Sequence, residues 1–221
     1  VNSTAKWLEE DWSVNEFTQP LFSENGAKLY FEVAPNPILQ DTSLLDEEIV
    51  NVEVWHYQDP YLYTQKEVRL KQEKEKGYWV AMDVATATYT PLATEAIPEV
   101  ALGNEGNAKY ALGYQEEKYA KSMSWEGYPS TRDYYLIDVN SGDPKLIGEQ
   151  MRGYARLSPD ANFAYWFDAV DTAWYAHSTL NNKTIQLTNN EEVPYFDELN
   201  DRPMLPSSYG TAGWLEKDAA V

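Results

Sequence analysis

The groups able to do chemistry in this chain are few and poorly grouped. The sequence holds 36 acidic residues, two histidines and no cysteine. Without cysteine there is no disulfide, no thiolate metal site and no cysteine nucleophile. A serine nucleophile of the hydrolase kind needs the sharp turn G-x-S-x-G, and the chain has none; Ser207-Ser208-Tyr209-Gly210 is only a loop that looks like it. His56 and His177 sit in aromatic segments that read as strands, which predicts packed, hydrogen-bonded rings and not a general base or metal ligand. Adjacent carboxylates occur at Glu9-Glu10, Glu47-Glu48, Glu116-Glu117 and Glu191-Glu192. Such a pair could hold a peptide ammonium, but in so acidic a chain each is expected to be solvated charge. A glycosidase pair is defined by its separation across a cleft, and nothing in the order of residues selects two of the acids. The sequence therefore nominates no catalytic residue, no cofactor-binding residue and no metal ligand, and implies no cofactor.

Charge and composition narrow the partners. A formal charge of −19 repels phosphate backbones and anionic lipid surfaces, so neither nucleic acid nor a membrane surface is expected. No apolar run reaches the length of a membrane span, and Val1 to Lys6 lacks the apolar segment of a signal peptide, so a signal in an exported parent would lie upstream of Val1. The mixed-sign run Lys66 to Lys76 reads as a solvated face. Asn2-Ser3-Thr4 and Asn182-Lys183-Thr184 match the glycosylation tripeptide and carry no functional weight.

What organises the chain is repetition. A polar turn opens onto an aromatic strand at Ser23-Glu24-Asn25-Gly26, at Gly103-Asn104-Glu105-Gly106 and at Ser158-Pro159-Asp160-Ala161, and a fourth copy begins at Trp214-Leu215-Glu216-Lys217-Asp218-Ala219. The later copies recur at roughly 55 residues and the first interval is longer, so the first unit carries an insertion. Each cycle has a second aromatic run, Tyr78 to Val84, Asp133 to Val139 and Thr172 to His177, followed by a small turn such as Asn140-Ser141-Gly142 or Asn181-Asn182, the pattern of an outer hairpin. Leu29, Phe31 and Val33 alternate with Lys28, Tyr30 and Glu32, and Val52 and Val54 with Glu53 and Trp55, which predicts strands; no long stretch keeps a helical period. The expected fold is all-β, a partial β-propeller of about three to four blades of four-stranded antiparallel sheets, truncated at both ends, with units over 20–93, 94–148, 149–205 and the start of another at 206–221. Tyr and Trp, at 17 and 8 residues, suit sheets packed face to face.

The order Phe22 to Phe31, then Val54-Trp55-His56-Tyr57-Gln58-Asp59-Pro60, then Gln65 and Arg69-Leu70, resembles the β-propeller of bacterial, Bacteroidetes-type prolyl oligopeptidase family serine peptidases. The likeness continues through Leu157 to Asp160, Tyr165-Trp166, Gln186 to Asn190 and Tyr209 to Trp214. The resemblance implies a propeller that caps an α/β-hydrolase domain and admits peptides while excluding folded proteins, in a periplasmic or secreted parent. Serine, aspartate and histidine would come from the hydrolase domain, which has no counterpart here, so this segment alone is expected to be inactive. None of the Glu-Glu pairs matches the motif that holds a substrate N-terminus in dipeptidyl-peptidase-like members. The alternative is a non-catalytic TolB-like propeller that serves as an interaction platform, and a sugar-processing propeller is a third reading. Unpaired terminal blades predict self-association of the isolated segment. The Val52 to Pro60 segment, whose proline ends the strand, reads as a connector in preference to the alternative of a loop projecting from the propeller.

Overall fold

A computed structural model describes residues 7–39, 41–49, 52–189 and 193–219. The Glu191-Glu192 pair and the Asn2-Ser3-Thr4 tripeptide lie outside these residues. The architecture is mostly β, built from antiparallel sheets with few helices.

The first sheet contains β1 (Trp12–Val14), β2 (Leu21–Phe22), β3 (Lys28–Pro35), β4 (Tyr78–Asp83) and β5 (Tyr89–Pro91). β1 and β2 share one edge of β3: Val14 pairs with Val33 and Leu21 with Tyr30, so together they act as one interrupted strand. Helix α1 (Tyr63–Glu75) lies in the long insertion between β3 and β4. The second sheet is the meander β6 (Glu99–Ala101), β7 (Tyr110–Gln115), β8 (Arg132–Asp138) and β9 (Pro144–Met151), with helix α2 (Met123–Glu126) in the β7–β8 connection. The third is β10 (Arg156–Leu157), β11 (Phe163–Asp168), β12 (Ala173–Ser178) and β13 (Thr184–Gln186).

The predicted alternation in β3 is observed, and it has a consequence for packing because both faces are covered. Tyr30 joins Ala81, Leu92, Ala111 and Ile137 in a core between the first and second sheets, whereas Phe31 and Val33 pack with Val80, Trp7 and Trp12 on the opposite face. A second inter-sheet core joins Leu112, Tyr134 and Leu136 to Ala164 and Trp166. Alternate residues of a strand point to opposite faces, so a strand buried on both sides is apolar at nearly every position. Phe163 to Phe167 has that character.

The repeated turns touch their neighbours. The buried Tyr30 hydroxyl donates to the Gly106 carbonyl at 2.7 Å, and the Glu24 N–H donates to the Glu105 carbonyl at 3.1 Å, joining the first turn to the second. A Cβ built on Gly103 would lie 2.8 Å from that of Ala161, so the second turn abuts the third. The fourth copy is a short 3-10 turn, Glu216–Asp218, in which Lys217 has φ 58°, matching the second turn, where Glu105 has φ 50°. Its Asp218 carboxylate accepts from the Ser158 hydroxyl at 2.6 Å and from the N–H groups of Asp160 and Asn162, both at 3.1 Å. Asp218 is buried, so replacing it with alanine strands three donors. Asp218→Ala is expected to cost about 2 kcal/mol in urea unfolding; a change within 0.5 kcal/mol, the usual scatter for surface substitutions, would count against the contact.

Two expectations fail. Residues 52–55 form no strand despite their alternation, because no neighbouring strand pairs with them and Asp59-Pro60 ends the segment. Residues 63–75 form a helix that the sequence reading did not predict. None of its residues is buried, so it carries no apolar stripe to detect. It forms because Gln, Lys, Glu, Arg and Leu are strong helix formers; the Gln65 side chain accepts the Leu62 N–H at 2.9 Å, and Gly77 follows its end.

Candidate functional site

The insertion and the β7–β8 connection meet in a groove of about 310 Å³. Trp55, His56, Tyr57 and Tyr63 line it from the insertion, and Lys121 and Trp125 from the connection. Its rings face solvent: Trp55 is 62% exposed, Tyr57 84% and Trp125 75%. Scattered exposed apolar residues are ordinary, whereas several large rings on one groove mark a contact surface.

Local bonds hold the insertion side in shape. Trp55 lies 5.6 Å from Tyr63 between ring centres and donates its indole N–H to Glu53 at 3.2 Å. Asp59 pairs with Lys66 across the start of α1, and that contact holds the Asp59 carboxyl below its ordinary range. Arg69 stacks over Tyr61, 4.1 Å from the ring centre. The Lys121 ammonium donates to the Tyr57 carbonyl at 3.0 Å and ties the two walls together.

The opposite wall is fixed to the second sheet by three charged residues at adjoining strand ends. Asp133, buried at the start of β8, accepts from the Lys118 ammonium, from the Tyr119 hydroxyl at 2.7 Å and from the Gln150 N–H at 2.9 Å. Burial pushes its carboxyl upward, but these donors outweigh burial and leave it below its ordinary range. Arg132 lies between the rings of Tyr114 and Tyr154 and donates to Glu116 at 2.7 Å. Arg152 reaches the Pro129 carbonyl at 2.8 Å and the Glu126 carbonyl at 3.0 Å. Both ends of the connection are thereby pinned, which places Lys121 and Trp125 beside the insertion.

These side chains offer stacking, apolar contact and a few hydrogen bonds. Ser124 and His56 both line the groove, yet no hydrogen bond joins them among the described residues. His56 is exposed and outside any strand, contrary to expectation; its ring nitrogen Nδ1 accepts the Gln58 N–H at 3.2 Å. His177 is buried on β12 as expected, bonded to Thr184 at 2.8 Å and Asn182 at 3.2 Å, and burial lowers its pKa. Glu9-Glu10 is solvent-exposed, and Glu116 is committed to Arg132 and Ser130. Among the described residues no group of three or more His, Asp or Glu is placed to hold a metal ion, and no helix is long and apolar enough to cross a membrane. Sequence reasoning missed the β7–β8 wall; the signal available was Arg-Asp at the head of a strand, preceded by a polar, aromatic connection.

The chain matches no protein-family description, and no curated protein matches it in sequence. Among solved structures it is similar to an acylaminoacyl peptidase in complex with Z-Gly-Gly-Phe-chloromethyl ketone, with a TM-score of 0.38 and 9% sequence identity. The similarity covers 82% of this chain and 25% of that one, so this chain spans about a quarter of that protein's length.

Proposed function

We propose that this chain is a non-catalytic segment of a β-propeller in a prolyl oligopeptidase-like serine peptidase, with blades over 20–93, 94–148 and 149–205 and the start of another at 206–221. It covers an active site housed in an α/β-hydrolase domain and restricts entry to peptides. The observation that carries this reading is the contact between equivalent turns. The first turn meets the second, the second the third, and the third is engaged by Glu216–Asp218 as a further unit's first turn would engage it. The sequence resemblance supplies the peptidase part of the proposal. The ringed groove between the insertion and the β7–β8 connection is the surface on which the hydrolase domain rests.

The test has two arms. Peptide 4-nitroanilides and a phosphonate serine probe should give no turnover and no labelling with the 221-residue chain, and the gene should encode G-x-S-x-G beyond Val221 in a product that cleaves peptides. A labelled serine inside this chain would overturn the proposal. A reading frame that ends after a further sheet, without a hydrolase region, would favour the interaction platform.

A further inference from the structure

A second concavity of about 270 Å³ opens on the face of the third sheet that points away from the second. Its back wall is aromatic. Trp174 lies 6.1 Å from Tyr165 and 5.7 Å from Phe167 between ring centres, and Pro129 and Pro206 close the sides. Arg156 stands at its rim. Arg156 of β10 is directly opposite Tyr165 of β11 in the antiparallel register, so the guanidinium projects from the same face as that ring.

The setting of the Arg156 side chain is unusual for this molecule. Acidic residues outnumber basic ones 36 to 17, and the neighbouring arginines, Arg132 and Arg152, are each paired with a glutamate. Among the described residues the Arg156 side chain makes no ion pair, hydrogen bond or ring contact. A planar five-donor group left open beside an aromatic wall complements a planar, two-oxygen anion attached to an apolar body. The volume is below the usual range for drug-sized ligands, which leaves room for one large side chain and its carboxylate but not for a nucleotide.

We propose that this pocket binds the C-terminal residue of a peptide, its bulky apolar or aromatic side chain against Trp174 and its free carboxylate paired with Arg156. The site does not depend on the propeller reading: it needs the third sheet, the 204–211 segment and the Tyr128-Pro129 stretch of the β7–β8 connection, all of which line it. The carboxylate accepts two N–H donors from the guanidinium, and the aromatic wall supplies contact area without fixing sequence.

The experiment titrates the 221-residue chain with acetyl-Gly-Phe as the free acid and as its amide, by calorimetry and by indole fluorescence. The acid should bind about tenfold or more tighter than the amide, and Arg156→Gln should abolish that preference while leaving the amide unchanged. Equal affinity of acid and amide, no binding of either, or equal competition by inorganic phosphate would overturn the assignment. The acid–amide comparison on the unaltered chain decides the matter even if Arg156→Gln fails to fold. Should the preference survive Arg156→Gln in a folded protein, another group binds the carboxylate and the proposal fails.

Discussion

Gly153→Ala is expected to destabilise the chain by about 3 kcal/mol or more. The reason is steric. A Cβ on Gly153 would lie 2.1 Å from the Phe167 carbonyl oxygen, a backbone atom that no rotamer change can move aside. Here the β9–β10 connection runs directly against the end of β11. The Tyr134 hydroxyl donates to the Gly153 carbonyl at 3.1 Å, and the Ala169 N–H donates to the Arg152 carbonyl at 2.9 Å. Moving the β9–β10 connection away from β11 far enough to admit a methyl would break both bonds and loosen the core around Leu136 and Trp166. Gly26→Ala is the control, since a Cβ there meets nothing within 4 Å and only the positive φ of 69° opposes it, at a cost of about 1 kcal/mol. Thermal and urea unfolding of the two variants should therefore differ clearly. Similar midpoints would mean that the β9–β10 connection does not lie against β11 at Gly153.

Asp133→Ala should cost about 3 kcal/mol and free the β7–β8 connection. The carboxylate is 1% exposed and accepts from three donors, so its removal strands the Gln150 N–H and the Tyr119 hydroxyl and leaves Lys118 without its partner. Lys118 is half-exposed and can turn to solvent, which moderates the loss. The pH dependence follows from the sign of the shift. The folded-state pKa lies below the unfolded value, so the contribution is complete above the unfolded pKa and disappears as pH falls through the folded one. The unaltered chain should lose stability below about pH 4, and Asp133→Asn should flatten that part of the profile. Hydrogen exchange across residues 117–131 reads out the structural half: faster exchange is expected in Asp133→Ala, and unchanged exchange would show that the connection is held by other contacts.

Much of the array can be read in the sequence because its determinants are local. The small polar turns, the alternation in Leu29 to Val33 and the continuous apolar run Phe163 to Phe167 each follow from a strand's period of two and from turn residues that tolerate positive φ. Asn182, with φ 57°, and Gly142, with φ 78°, stand where strand reversals were expected. Helix α1 was not legible, since its stability comes from propensity and local bonds and it buries nothing. The alternation of Val52 to Trp55 misled because a strand needs a partner as well as a period. The anchored groove wall was not legible either. Its residues are far apart in the chain, Glu116 and Lys118 before α2 and Gln150 and Arg152 at the end of β9, and only the antiparallel register brings them to one end of the second sheet. A contact between Lys118 and Asp133 leaves no periodic trace.

The open face of the third sheet provides the most direct test of the propeller. It presents Phe163, Trp174 and Ile185, and the indole N–H of Trp214 is buried there without a hydrogen-bond partner among the described residues. Determining the structure of the complete gene product would show what covers it. The account predicts another four-stranded antiparallel sheet, with a carbonyl oxygen accepting the Trp214 N–H; a helical layer on that face, or a face left bare to solvent, would contradict it.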